Sequence, residues 1–333
     1  MPALIGGFGK INRDIKQNYS SQGPLDVKDK ESNLREKLGS YLAGLIEADG
    51  SIAVHDPNSK SKRYRPKILV VFSLADEPLA LKLASVTNAG AVYRKTNAGS
   101  VIWDIQKSEE VIRIINLING FMRTPKIEAL HRAINWFNTF DNLNLTCLGL
   151  DKSPINSNAW LAGFSDGESG GFYLTLTNRK NLIRVQQQFK LKINKNCQNA
   201  DAESVGSAYF IIFSKICEFF ETSLISKTIR EEKKIQFMFI IIVHNLPKLD
   251  LVINYFEKYP LLGKKYSDYI NFREVALKIK NKEHLKPEVM ESIKIIKNRM
   301  KNKQVNYSIG DNYKCYGLNL PYISKRNFST NLV

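Results

Sequence analysis

Residues 41–51 read YLAGLIEADGS, and residues 160–169 read WLAGFSDGES. Aligned, they share Leu42-Ala43-Gly44 against Leu161-Ala162-Gly163, with acids at matching places: Glu47 with Asp166, Asp49 with Glu168. One such acid beside a helix-stopping glycine is ordinary surface decoration; the same pattern twice is an internal repeat. Each copy has helical spacing, the first stopping at Gly50, a natural helix terminator. Each also carries small residues at i and i+4, Gly44 with Ala48 and Gly163 with Gly167. Such residues let two helix backbones approach closely.

Side-by-side packing of the two helices makes Asp49 and Glu168 neighbours at their C-terminal ends. That place is unfavourable for carboxylates, since the helix terminus already carries partial negative charge, costing ~0.3–1 kcal/mol each, and the acids repel. A divalent cation relieves both problems, and oxygen ligands with a phosphate partner suit Mg²⁺. Two acids holding a metal beside a basic groove constitute a phosphodiester hydrolase with activated water as nucleophile.

The repeat organises the whole chain. We expect a lead-in segment over 1–37, a first half over 38–140, a linker over 141–157 (DNLNLTCLGLDKSPINS), a second half over 158–303, and a tail over 304–333 without clear periodicity. In the first half the pattern predicts helices over 34–48, 79–86, 109–118 and 127–140, and strands over 51–54, 64–74, 91–95 and 101–106. In the second it predicts strands over 172–177, 184–194, 224–230 and 235–243, and helices over 205–220, 247–259, 265–280 and 287–301. The interval from Asp49 to Lys126 is shorter than that from Glu168 to Lys265 by about 20 residues, which assigns longer hairpins to the second half. The class is α+β with antiparallel sheets.

Composition narrows the partner. The chain has 333 residues, with 49 Lys+Arg against 32 Asp+Glu, a net charge of +17. That excess on a chain 43% hydrophobic argues for a folded protein rather than a disordered one and points to a polyanion, most often nucleic acid; charge alone leaves an acidic membrane surface open. No apolar run reaches the ~18 residues of a membrane span. Cys147, Cys197, Cys217 and Cys315, and the four histidines, His55, His131, His244 and His284, are scattered, so neither a zinc site nor a disulfide framework is supported. The N-terminus lacks the apolar core of a secretory signal.

Strand periodicity supplies candidate nucleic-acid contacts. Gln186, Gln188, Lys190, Lys192 and Asn194 alternate with Gln187, Phe189, Leu191 and Ile193, so the first set shares one face. Arg63, Arg65 and Lys67 alternate in the same way with Tyr64, Pro66 and Ile68, and Ser226, Thr228 and Arg230 form a further short row. These rows nearly lack acids, and their side chains are those that pair with base edges and phosphates.

LAGLIEADG differs at one position from the motif that names the LAGLIDADG homing endonucleases, and LAGFSDGES is similar to their second copy. RTPKIEALHR (123–132), FEKYPLLGKKYSDY (256–269) and NKEHLK (281–286) resemble further stretches of that family, its fungal mitochondrial members among them. The resemblance covers roughly 38–303. It implies a monomer of two pseudosymmetric αββαββα halves, packed through the motif helices, with two four-stranded saddles along a long double-stranded DNA target. It implies that Asp49 and Glu168 bind divalent metal, Mg²⁺ or Mn²⁺ or a non-cleaving Ca²⁺, helped by the carbonyls of Ala48 and Gly167. It places a lysine near each scissile phosphate, Lys126 and either Lys265 or its neighbour Lys264. The expected activity is a double-strand break with short 3′ overhangs, encoded within a mitochondrial intron and acting without a membrane. A maturase binding its own intron RNA, or a non-catalytic DNA-binding protein, fits the same basic surface. One departure stands out: Glu168 is followed by Ser169-Gly170-Gly171-Phe172, one residue longer than the family pattern, so the helix end there is expected to differ.

Overall fold

The computed structural model describes residues 24–56, 64–95, 99–167, 169–179, 182–197, 202–231, 234–301 and 316. The first half runs α1 (Pro24–Asp49), β1 (Gly50–Ala53), β2 (Lys67–Ser73), α2 (Glu77–Thr87), β3 (Ala91–Arg94), β4 (Ser100–Ile105), α3 (Ser108–Ile118) and α4 (Ile127–Phe140). The second runs α5 (Trp160–Gly167), β5 (Ser169–Arg179), β6 (Leu182–Cys197), α6 (Ala202–Phe219), β7 (Leu224–Glu231), β8 (Lys234–Val243), α7 (Leu246–Lys258), α8 (Lys265–Lys280) and α9 (Pro287–Lys301). Each half is therefore αββαββα with added helices. The sheets share one antiparallel order, β1-β2-β4-β3 and β5-β6-β8-β7. Among the described residues no helix is long and apolar enough to cross a membrane.

Helices α4, α8 and α9 keep the bounds their periodicity predicts. Helix α1 starts ten residues before the expected position, at Pro24, whose fixed φ and missing N–H suit a first helical turn. The extra length of the second half is shared out. Both hairpins are longer, β5 and β6 pairing over eleven residues where β1 and β2 pair over four, but the largest part lies between the hairpins, where α6 has 18 residues against 11 in α2. On the helix-covered faces, Ile68, Val70 and Phe72 of β2 and Val101, Trp103 and Ile105 of β4 are buried. Their counterparts are Phe189, Leu191 and Ile193 of β6 and Phe239, Ile241 and Val243 of β8.

At the centre, α1 lies directly on α5. A Cβ added to Gly44 would fall 2.0 Å from the Trp160 carbonyl oxygen, and one added to Gly163 would fall 1.9 Å from the Tyr41 carbonyl oxygen. The two glycines thus do the same work about a pseudo-dyad, each admitting the other helix's backbone. Lower down, a Cβ on Gly167 would meet that of Ala48 at 2.4 Å.

The extra residue after the second motif is absorbed at the start of β5. In the first half Gly50 and Ile52 pair with the core residues Val70 and Ile68; in the second, Gly170 and Phe172 pair with Leu191 and Phe189. Register therefore makes Gly170, not Ser169, the structural equivalent of Gly50. The adjustment uses positive φ at Gly170 (143°) and Gly171 (137°), which side chains disfavour.

Register also corrects one expected row. Opposite residues in an antiparallel ladder share a face, and Ser226 and Thr228 lie opposite Phe239 and Phe237, Arg230 opposite Ile235. Lys190 and Lys192 lie opposite Ile242 and Ile240. Ser226, Thr228 and Arg230 thus face away from the Gln186–Lys192 row, on the core side where β7 outruns its cover; period 2 within one strand cannot say which face is which. The opposite face of β7 carries Ile225, Lys227 and Ile229.

Gly163→Ala is expected to lower stability by about 1–3 kcal/mol or more through overpacking. Gly170→Ala, strained and 2.1 Å from the Lys190 carbonyl oxygen, should do likewise. Gly149→Ala, with nothing within 4 Å, should be neutral. Urea unfolding monitored by circular dichroism checks all three.

Candidate active site

The C-terminal ends of α1 and α5 open into a cleft of about 460 Å³ lined by Asp49, Asp76, Asp166, Gly167, Lys264 and Lys265 among others. Asp49, the last residue of α1, is exposed at this mouth. A Cβ on Gly167 would lie 3.3 Å from the Asp49 backbone nitrogen, so the end of α5 reaches the end of α1, as the repeat predicts. Glu168 itself lies outside the described residues, as does Arg63; the side chain of Asn194 is likewise outside them.

Each motif carries a second acid, Glu47 fully buried behind the cleft and Asp166 partly buried in its wall, and each is held crosswise. Glu47 on α1 accepts hydrogen bonds from the backbone N–H of Arg123 (3.0 Å) and Thr124 (2.6 Å) and from the Thr124 hydroxyl (2.7 Å). The Trp160 indole on α5 adds a fourth, at 2.5 Å. Asp166 on α5 accepts from the backbone N–H of Leu262 (2.8 Å) and Gly263 (3.1 Å) and from the Tyr41 hydroxyl of α1 (2.8 Å). The first aromatic of each motif therefore donates to the internal acid of the other. Burial raises the Glu47 carboxyl above its ordinary pKa, opposed by Thr124, Arg123 and Trp160. Burial likewise pushes Asp166 up to about 6, against the Leu262 N–H, the Tyr41 hydroxyl and the Lys265 ammonium. Among the described residues, Asp166 Oδ1 has no hydrogen-bond partner.

The two expected lysines arrive at equivalent places. Lys126 Nζ donates to the carbonyls of Ile46 (3.0 Å), Glu47 (2.8 Å) and Gly50 (2.7 Å) at the end of α1. Lys265 Nζ donates to the Ser165 carbonyl (2.6 Å) at the end of α5. Each ammonium thus sits on the negative end of a motif helix. Burial lowers the Lys265 pKa, opposed by Asp166, Asp49 and Asp76. Lys264 is placed differently: its backbone N–H donates to Asp76 Oδ1 (2.6 Å) and its ammonium to the Ser73 hydroxyl (2.8 Å), tying the second half to the first.

The sheet faces bear out the alternation on β6: Gln187, Phe189, Leu191 and Ile193 are buried, while Gln186, Gln188, Lys190 and Lys192 are partly exposed on the other face. Lys67 is half-exposed at the start of β2. Arg65 pairs with Asp141 (2.7 Å) and lies over the Trp136 ring, so its guanidinium is engaged within the protein.

Sequence reasoning gave no role to Glu47, Asp166, Tyr41, Trp160 or Asp76. The signal for four of them was present, because the repeat aligns Glu47 with Asp166 and Tyr41 with Trp160. Asp76 has no such mark; only the fold brings it to Lys264.

A family model described as LAGLIDADG endonuclease matches residues 42–137 and 161–276. An intron-encoded DNA endonuclease, aI3 of Saccharomyces cerevisiae, is 38% identical over 307 residues, 84% of this chain and 73% of that protein. Among solved structures, the I-LtrWI LAGLIDADG homing endonuclease bound to target DNA superposes with a TM-score of 0.54 at 20% identity, covering 81% of this chain and all of that one. I-SmaMI bound to uncleaved DNA in the presence of calcium ions gives a TM-score of 0.52 at 18% identity, covering 79% and 98%.

Trp160→Phe removes the indole donor from Glu47 and also thins the buried ring that stacks on Phe164 and lies under the Arg123 guanidinium. A loss of about 1.5–3 kcal/mol is expected. Thermal unfolding compared with the wild type measures it.

Proposed function

The chain belongs to the LAGLIDADG endonuclease family, and from that premise we propose that it is a site-specific DNA endonuclease of the intron-homing kind. The observation that carries the reading is the meeting of two motif-helix ends in one cleft, with Asp49 exposed there and an ammonium on each helix terminus. The target is a long duplex lying across both sheets, the protein acts as a monomer, and its gene resides in a fungal mitochondrial intron.

A divalent cation suits this donor set. The atoms offered are hard oxygens: the Asp49 carboxylate, the backbone carbonyls at the helix ends, and Asp166 Oδ1 in the cleft wall, a buried atom without a hydrogen-bond partner among the described residues. We assign the ligands as Asp49 and Glu168 with the carbonyls of Ala48 and Gly167, and Mg²⁺ as the working ion. When bound, such an ion neutralises charge at the scissile phosphate and activates the attacking water.

The protein's own groups set the geometry. Glu47 and Asp166 anchor the segments 123–124 and 262–263 to the motif helices, and so position Lys126 and Lys265, which follow within three residues. Those lysines hold the helix ends and add positive charge beside the phosphates. Lys67, Gln186, Gln188, Lys190 and Lys192 contact the duplex from the sheet faces.

Incubation with a plasmid carrying the intronless allele of the host gene tests the proposal. Linear product with Mg²⁺ and none with EDTA is expected. Asp49→Asn should abolish the double-strand break while binding in a gel shift survives; cleavage at the wild-type rate would remove Asp49 from the mechanism. Lys126→Met should slow cleavage by about 100-fold through displacement of the helix end. An intron maturase, by contrast, would assist splicing undiminished by Asp49→Asn.

A further inference from the structure

The open face of the second sheet changes character along its length. Its β5–β6 hairpin presents Tyr173, Thr175, Arg184, Gln186, Gln188 and Lys190, paired across the two strands. Its β7–β8 end presents Ile225, Ile229, Met238, Ile240 and Ile242, closed at the far end by Gln236 opposite Ile229. Ile225 is 49% exposed, and Ile240 and Ile242 are partly exposed although β8 is a central strand. Register opposes them to the core set: Phe239, Ile241 and Val243 of the same strand are buried on the other face. Lys192, opposite Ile240, and Lys227, opposite Met238, flank the apolar strip.

An apolar strip between lysines, continuous with a row of amides and ammoniums, fits a polyanion that carries apolar groups. Among the base edges of the DNA major groove only thymine presents one, its C5-methyl. We propose that Ile225, Ile240 and Ile242, with Met238 and Ile229, read thymine methyl groups in one half of the target, so that this half-site combines polar readout over β5–β6 with methyl readout over β7–β8. Residues two apart on a strand are separated by about 6.8 Å, roughly two base steps, so Met238, Ile240 and Ile242 span about four steps. The inference rests on the DNA endonuclease reading and specifies which bases its second half prefers.

The test uses the full-length protein and duplexes that it selects from a randomised pool. The selected duplex is resynthesised with deoxyuridine replacing single thymidines, which deletes only the methyl, and affinity is read by fluorescence anisotropy. Two to four thymines clustered in one half-site should each weaken binding about fourfold when demethylated, the worth of one buried methyl. Ile240→Ala or Ile225→Ala should abolish the difference between thymidine and deoxyuridine at one of those positions. The proposal is overturned if demethylation is neutral throughout, if the penalty persists unchanged in both variants, or if the half-site has no thymine there. The scan of the wild-type protein alone needs no variant to fold. Enrichment of no duplex at all would overturn the endonuclease reading itself, and this inference with it.

Discussion

Two helix backbones touch at the centre of this protein with no side chain between them. Gly44 and Gly163 each stand where any Cβ would enter a carbonyl oxygen of the opposite helix. That contact fixes the separation of the helix ends, and catalytic geometry is sensitive to displacements of about 1 Å. It also sets the relation of the two sheets, because β1 and β5 begin within two residues of their motif helices.

Helices brought this close concentrate negative charge at their termini, and the fold answers with an ordered set of donors. Glu47 and Asp166 would be costly in isolation, yet they receive hydrogen bonds from backbone, hydroxyl or indole groups. Lys126 and Lys265 then cover the helix carbonyls. The halves differ in how well this is done. Glu47 accepts bonds on both of its oxygens, whereas among the described residues Asp166 leaves one oxygen unpartnered and stands beside Asp76 and two lysines. Ser169 adds a further asymmetry, placing an additional residue between the second motif and the glycine that re-enters the sheet.

The repeat made the architecture legible, because a nine-residue pattern occurring twice constrains two helices, their packing face and their shared ends. Alternation on β6 was legible for the same local reason. The face of β7 was not, since that depends on pairing with β8, and an edge strand that outruns its helices can carry polar residues on its core side and isoleucines on its open side. The choice between Lys264 and Lys265 also lay beyond the sequence: adjacent residues at the start of α8 point to different halves, one toward Asp76 and Ser73, the other toward Ser165. Arg65, a basic residue in a similar row, stays exposed while pairing with Asp141, a partner 76 positions away that strand periodicity does not mark.

The crosswise bonds from Tyr41 to Asp166 and from Trp160 to Glu47 carry a consequence for recombination. Neither half contains a finished set of partners for its own buried acid. A chimera that joined one half to a foreign counterpart would inherit a carboxylate shaped for an absent donor, unless the aromatic at the head of the incoming motif matched it. The heritable module is consequently the seam between the halves, and lineages that shuffle target specificity by exchanging halves are constrained to keep that seam compatible.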